Sequence, residues 1–420
     1  MTASPSYSDL FRVFGRIGLM SFGGPVAQIS LMHRALVEEQ AWLEEKQFLG
    51  ALSFCMLLPG PEAMQLATFT GWKLRGTLGG MIAGLLFVLP GAILITLLAG
   101  LYVAFGQIPI VQSAFLGVKA AVVAVVLQAM FRLAPKVLTP PLNISFAVAA
   151  CCILYMGVLP FPALILGAGV AGYVTARPPA VSTAVASTPM PAHGLARRTL
   201  KTAVFWGILW AAPIVLVWGL GHAFLTEIAV FFSKLAVVTF GGAYAVLAYM
   251  VQAVVTDFEW LTTAQMMDAL GLAETTPGPL ILVTQFVGHL AGYAQGGVGL
   301  AIVAGLLTLW CTFVPCFLWI FAGAPYVDTL LENPRLSGAL KVISASVLGV
   351  IANLSIWFAL HVIFQHVVST RFGAVPDLAS FDPTAFGMVC IGVILLILCK
   401  IPLVKTLALT AGISMIAGLL

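Results

Sequence analysis

Apolar residues in this chain run in long blocks rather than alternating with polar ones. Thirteen such segments can be drawn, approximately 9–37, 47–70, 79–103, 109–131, 144–158, 161–175, 203–221, 224–252, 262–288, 297–322, 337–364, 384–399 and 401–419. Blocks of this length predict membrane helices, since a crossing needs about 20 apolar residues. Four of the segments are interrupted. Phe22-Gly23-Gly24-Pro25 lies in the first, Pro59-Gly60-Pro61-Glu62 in the second, Phe240-Gly241-Gly242 in the eighth and Thr276-Pro277-Gly278-Pro279 in the ninth. A proline removes a backbone donor and clashes with the preceding turn, so Pro59, Pro61, Pro277 and Pro279 should break helices, and Pro25 should start one. Irregular backbone at membrane depth is tolerated only where protein covers it or where it lines a cavity. The expected fold is therefore an all-α polytopic membrane protein with broken or re-entrant helices at these motifs.

The breaks also reveal a duplication. Phe22-Gly23-Gly24 corresponds to Phe240-Gly241-Gly242, Trp42 to Trp260, Gln47 to Gln265 and Pro59-Gly60-Pro61 to Pro277-Gly278-Pro279, all at an offset of 218 residues (22 to 240, 59 to 277). Between the two units, residues 176–202 are rich in Pro, Ala, Ser and Thr and end in Arg197, Arg198 and Lys201, which reads as a surface linker. This divides the chain into an N-terminal repeat, 1–175, a polar linker with one extra helix, 176–222, and a C-terminal repeat, 223–420. Six segments, one extra and six more place the second unit upside down relative to the first. Two homologous halves in an inverted-topology repeat are a transporter signature, with the substrate site near the midplane.

Composition supports the membrane reading. The chain is 61% hydrophobic and 8% charged, against roughly a quarter charged in soluble domains. The N-terminus lacks the basic-then-apolar layout of a cleaved signal, so the first segment is expected to serve as the insertion signal. Of the nineteen Lys and Arg residues, fourteen fall on the face containing the N-terminus and the linker. Arg34, Lys46 and Arg371 fall on the other, and Lys119 and Lys234 lie inside segments. The positive-inside rule then predicts a cytoplasmic N-terminus and an external C-terminus. The seven cysteines show no C-x-x-C spacing and read as reduced thiols in helices.

The candidate chemistry is that of anion binding. A new helix start presents unpaired N–H groups and a partial positive charge. Gly23, Gly24, Gly60, Gly241, Gly242 and Gly278 would let an anion approach the backbone closely. Pro25 and Pro61 fit first helical positions, and Thr275 or Thr276 fits a cap for the second PGP helix. Intramembrane charges are costly and tend to be functional, which singles out Lys119. Arg16 and Lys234, each seven residues before a break glycine, would face one cavity from opposite repeats. Glu62 at the first PGP break would bind a proton or simply cap its helix, and Gln65 and Thr68 follow as polar ligands. Glu274 lies at the corresponding place before the second break. No phosphate-binding G-x-x-x-x-G-K-[ST], metal spacing, G-x-S-x-G or H-E-x-x-H is present, so no cofactor, metal, nucleic-acid partner or enzymatic activity is expected.

Phe22-Gly23-Gly24-Pro25, Trp42-Leu43 and Cys55-Met56-Leu57-Leu58-Pro59-Gly60-Pro61-Glu62-Ala63 with Gln65-Leu66-Ala67 resemble the first half of chromate ion transporters. Thr239-Phe240-Gly241-Gly242-Ala243-Tyr244, Gly271–Pro279 and Gln285-Phe286-Val287-Gly288 resemble that family's second half. The resemblance covers nearly the whole chain and implies a two-domain bacterial inner-membrane protein that exports chromate and confers resistance to it. Export agrees with the energetics. A dianion leaving a cell that is negative inside gains about 4.6 kcal/mol per 100 mV, twice the single-charge value. Proton coupling through Glu62 would alter that balance. The alternatives are a carrier of sulfate or another oxyanion, and an anion channel. The partners are the dianion and the lipid bilayer, and because inverted-repeat membrane proteins often dimerise, a homodimer is one assembly open to it.

Overall fold

The computed structural model describes residues 5–139, 141–176, 192–240, 243–331, 333–370 and 373–418. The described chain is helical apart from one two-stranded antiparallel hairpin, β1 (Val367–Thr370) with β2 (Gly373–Pro376). Among the described residues, five helices are long and apolar enough to cross a membrane, within Glu62–Phe105, Pro109–Val137, Leu195–Gly219, Leu280–Tyr326 and Pro334–Ile363.

Helix α1 (Tyr7–Met20) begins with a capping box between Ser6 and Asp9 and stops at Ser21. Helix α2 (Gly24–His33), continued by a π-helical turn (Arg34–Glu39), then runs back along it. Arg16 of α1 pairs with Glu39 at 3.4 Å, and the rings of Phe14 and Trp42 lie 6.4 Å apart. The first segment is thus a hairpin that turns at the Phe22-Gly23-Gly24 break. Helix α3 (Glu45–Leu57) ends at the Pro59-Gly60-Pro61 break and α4 (Glu62–Phe105) begins after it. Phe54 and Phe69, on either side of that break, lie 5.6 Å apart.

Helix α4 is two antiparallel limbs joined at Arg75-Gly76. Gly76 has φ 64° and ψ −160°, a region that essentially only glycine occupies. Gly71 therefore lies against Gly79 and Ala83, and Thr68 against Gly84. The turn sits at the start of α1, where Arg75 Nε donates to the Pro5 carbonyl at 2.6 Å. The long second limb leads to α5 (Pro109–Val137), α6 (Pro141–Tyr155) and α7 (Phe161–Thr175).

The same devices return in the second half. Helix α9 (Ala223–Val238) folds against α10 (Ala243–Gln252) and its π turn (Ala253–Asp257). The ring pair Phe232–Trp260, 6.2 Å apart, repeats Phe14–Trp42 at the 218-residue offset. Helix α11 (Thr263–Thr275) opens with a Thr262–Gln265 capping box, as α3 does with Glu44–Gln47. Helix α12 (Val283–Gly323) reverses at Gly296-Gly297, where Gly297 repeats the Gly76 conformation with φ 72° and ψ −163°.

After the kinks the halves interlace. Helix α14 (Pro334–Ile363) packs on α6 and α7 of the first half. Helices α15 (Pro383–Val393) and α16 (Leu403–Ala417) pack on α5. Close approach at small residues makes this possible. Gly172 lies against the backbone of Gly338 and Ala339, Gly349 against that of Ala147, and Gly117 against that of Thr410.

Two expectations change here. The polar stretch does not remain a linker to residue 202, because α8 (Ala192–Gly219) carries Arg197, Arg198 and Lys201 on a helix. Alanine and the long basic side chains favour helix there. Thr275 and Thr276 do not cap a following helix. Their hydroxyls donate back to Leu272 and Ala273 at the end of α11, and a short 3-10 turn (Leu280–Leu282) leads into α12 instead.

Candidate functional site at the helix breaks

The breaks meet in a reciprocal arrangement. The Gly60 amide donates to the Thr239 carbonyl at 2.8 Å, and the Gly278 amide donates to the Ser21 carbonyl at 2.9 Å. Each PGP break of one half is thereby bonded to the carbonyl that precedes the FGG break of the other. Both acceptor residues are buried and held alike. The Ser21 hydroxyl donates to Ile17 O and the Thr239 hydroxyl to Leu235 O, each at 2.6 Å.

The backbone at these points requires glycine. Gly23, Gly24, Gly60 and Gly278 have φ of 87°, 77°, 127° and 93°, values that side chains with a Cβ rarely adopt. Pro25 stands at the second position of α2, one residue later than expected, because Gly24 takes the first position behind Gly23 as N-cap. Pro61 occupies the N-cap of α4 instead of its first helical position, and Glu62 begins the helix. Pro59 carries the carbonyl that accepts from Gln65 Nε2 at 2.7 Å. The Pro277 backbone rests against Gly91 of α4, and Pro279 ends the second break ahead of the 3-10 turn. Gly241 and Gly242 lie outside the described residues, so the fourth break is placed only by the end of α9 at Val238 and the start of α10 at Ala243.

Gln28, which sequence reasoning passed over, ties two breaks together. Its buried amide donates to Gly278 O at 2.7 Å and to Ser21 O at 3.2 Å. Tyr244 of α10 reaches the same region. An added Cβ on Gly24 would lie 3.7 Å from its hydroxyl, which donates to Glu274 Oε1 at 3.0 Å. Glu274 is buried, as is Gln65, whose Oε1 has no hydrogen-bond partner among the described residues. Glu62 is partly buried, and its carboxylate has no hydrogen bond or ion pair among the described residues. Polar groups such as Glu62 and Gln65 Oε1, left without partners among the described residues beside the first PGP break, are suited to exchanging bonds with a passing polar solute.

The cations are distributed differently from the sequence expectation. Arg16 and Lys234 do not face a common cavity. Arg16 is exposed and paired with Glu39, while Lys234 is exposed over the Tyr249 ring, 5.8 Å from its centroid. Both sit on the outer surface of their hairpins, where long basic side chains are least costly. Lys119 is inside the protein, with its Nζ 3.1 Å from Asp268 Oδ1 on α11. The Tyr102 hydroxyl donates to the other Asp268 oxygen at 2.8 Å. Asp268 was missed, although the rule that singled out Lys119, a charge inside an apolar segment, applies to it equally.

A family model described as Chromate transporter matches residues 8–173 and again 226–419. The chain is similar to a chromate transport protein of Pseudomonas aeruginosa, 34% identical over 84% of this chain and 80% of that protein. A chromate transport protein of Cupriavidus metallidurans is 31% identical over 85% and 84%. A probable chromate transport protein of Synechococcus elongatus is 30% identical over 83% and 84%. No solved structure matches.

Proposed function

The chain belongs to the chromate transporter family, and on that premise we propose that it exports chromate across the bacterial inner membrane, driven by the membrane potential, and so confers chromate resistance. The observation that carries this reading is the reciprocal bonding of Gly60 to Thr239 and of Gly278 to Ser21. These bonds hold each PGP break of one half beside the residue that precedes the FGG break of the other, and the helix starts near them, whose remaining N–H groups favour a tetrahedral oxyanion, support the reading. Gly23, Gly24, Gly60, Gly278 and Gln65 form the proposed site, with Gly241 and Gly242 completing it from the second half. Lys119 supplies a cation along the route, and Glu62 is the group through which a proton would couple.

The hairpin reading also supports the orientation. If α1–α2 and α3 with the first limb of α4 each return to the side they entered from, Arg34 and Lys46 join the fourteen basic residues of the cytoplasmic face. Arg371 alone is then external. The corresponding loop of the second half, 253–261, moves to the outside. It carries Asp257 and Glu259 and no Lys or Arg. In this arrangement the halves run in opposite directions, the N-terminus is cytoplasmic and the C-terminus external.

The test is uptake of labelled chromate into everted membrane vesicles with sulfate as competitor. Uptake that requires the protein and a membrane potential, and that saturates, is the expected result. Sulfate uptake without chromate flux would keep the carrier and replace its substrate. Flux that does not saturate and shows no counterflow would replace the carrier with a channel.

A further inference from the structure

Lys119, Asp268 and Tyr102 form a partly buried charged cluster joining the halves. Lys119 is on α5 and Tyr102 near the end of α4, both in the first half, whereas Asp268 is on the second-half helix that ends at the Thr276–Pro279 break. The Asp268 side chain is 8% exposed and that of Lys119 20% exposed. Gly271, one turn beyond Asp268, lies against Val118, so α11 rests directly on α5 at this point.

Three observations argue that this pair serves more than cohesion. Desolvating two ions costs several kcal/mol each, and an apolar pair of similar size commonly packs as well. The repeat supplies an internal comparison. At the 218-residue offset the position of Asp268 is occupied by Gly50 on α3 (268 to 50), so the first-half hairpin forms without a carboxylate there. Finally, the two carboxylate oxygens have different partners. Asp268 Oδ2 accepts from the Tyr102 hydroxyl at 2.8 Å, and Oδ1 pairs with the Lys119 ammonium at 3.1 Å. Exchange at Lys119 would therefore leave the carboxylate bonded through its other oxygen.

We infer that Asp268 is an internal stand-in for the transported dianion: it neutralises Lys119 in the empty protein and yields that cation to the oxyanion as it passes. The inference rests on the transport reading and adds a residue that sets the occupancy of Lys119. Tyr102 retains Asp268 during the exchange by holding its second oxygen. A carboxylate bound this way also sets selectivity for charge, because a monoanion offers Lys119 no more than Asp268 already does, whereas a dianion does.

The test is the double variant Lys119→Gln/Asp268→Asn beside the single variant Asp268→Asn and the wild type, each as the full chain. Removing both charges leaves no unpaired ion, so the double variant is expected to fold with a melting temperature near that of the wild type. In everted vesicles its KM for chromate should rise at least tenfold, with kcat changed much less. Asp268→Asn alone should do the opposite, lowering KM and slowing turnover, because Lys119 then holds the anion without competition. A merely structural pair would give wild-type KM in the double variant, and that result overturns the inference. Wild-type protein that moves no chromate overturns the transport reading instead. The inference is then decided by the melting-temperature shift that chromate or sulfate produces in the purified protein. A shift present in the wild type and lost in the double variant supports it, and equal shifts, or none, overturn it.

Discussion

The amide of Gly60 donates to the carbonyl of Thr239, across the two halves of the chain, at 2.8 Å. Its counterpart, Gly278 to Ser21, differs by 0.1 Å at 2.9 Å. Both glycines have positive φ, and both have little room. A Cβ on Gly60 would fall 2.8 Å from Gln65 Nε2 and 2.9 Å from Cys316 Sγ, and one on Gly278 would fall 3.0 Å from Leu282 Cδ1. Gly60→Ala and Gly278→Ala should each cost about 1–3 kcal/mol of backbone strain. Each should also reduce chromate flux more than tenfold, with Gly60→Ala the more severe because two neighbours must move. Flux close to wild type in both variants, at equal protein amounts, would remove the breaks from the transport site.

Glu62 begins α4 at the first break and has no protein partner among the described residues. If it carries the coupled proton, wild-type flux should vary with pH and Glu62→Gln flux should not. A pH profile for Glu62→Gln that superimposes on the wild type would dismiss this carboxylate as the coupling group.

His33 provides a pH effect at the surface end of the first hairpin. Its Nε2 lies 2.6 Å from Glu45, and Nδ1 is 3.2 Å from Glu38. The hydrogen bond to Glu45, aided by the charges of both carboxylates, raises its pKa above the usual 6.5. Because the folded value is the higher one, the stabilisation is fully present below pH 6.5 and is lost as pH rises through the folded value. The melting temperature should therefore fall as pH is raised from 6 to 8 by more in the wild type than in His33→Gln. Equal slopes would show that the pair is screened away.

The limbs of α4 and the neighbouring α12 meet across glycines. A Cβ on Gly80 would lie 2.9 Å from the Thr68 carbonyl oxygen and 2.6 Å from a Phe321 ring carbon, whereas one on Gly100 meets nothing within 4 Å. Gly80→Val should be destabilised by about 1–3 kcal/mol through overpacking. Gly100→Ala should stay within about 0.5 kcal/mol of the wild type. Thermal melting in detergent would compare them directly, and equal melting temperatures would contradict the packing described here.

Much of this architecture was legible in the sequence because breaks in apolar segments need glycine and proline, and those residues stand out. Phe14–Trp42 and Phe232–Trp260 realise the repeat seen in Trp42 and Trp260. The reversals at Gly76 and Gly297 fall at the gaps expected between segments 47–70 and 79–103 and between 262–288 and 297–322. Hydropathy shows that a turn is present, but only φ and ψ show that the two limbs fold back across a pair of residues with so little loop between them. Partners were harder still. Lys119 was singled out by its charge, but nothing along the chain connects it with Asp268, 149 positions away (119 to 268). Arg16 and Lys234 were correctly related by register, yet register cannot distinguish the inner from the outer surface of a hairpin.

The interlacing of α5 with α15 and α16, and of α14 with α6 and α7, has a consequence for biogenesis. Synthesis proceeds from the N-terminus, so α5 must enter the bilayer and wait beside lipid until the last two helices emerge. The first half cannot close on itself, and α15 and α16 are the helices that seal it. Truncation just before α15 should therefore expose α5 to quality-control proteolysis. Supplying the missing C-terminal piece from a second transcript should rescue the shortened chain.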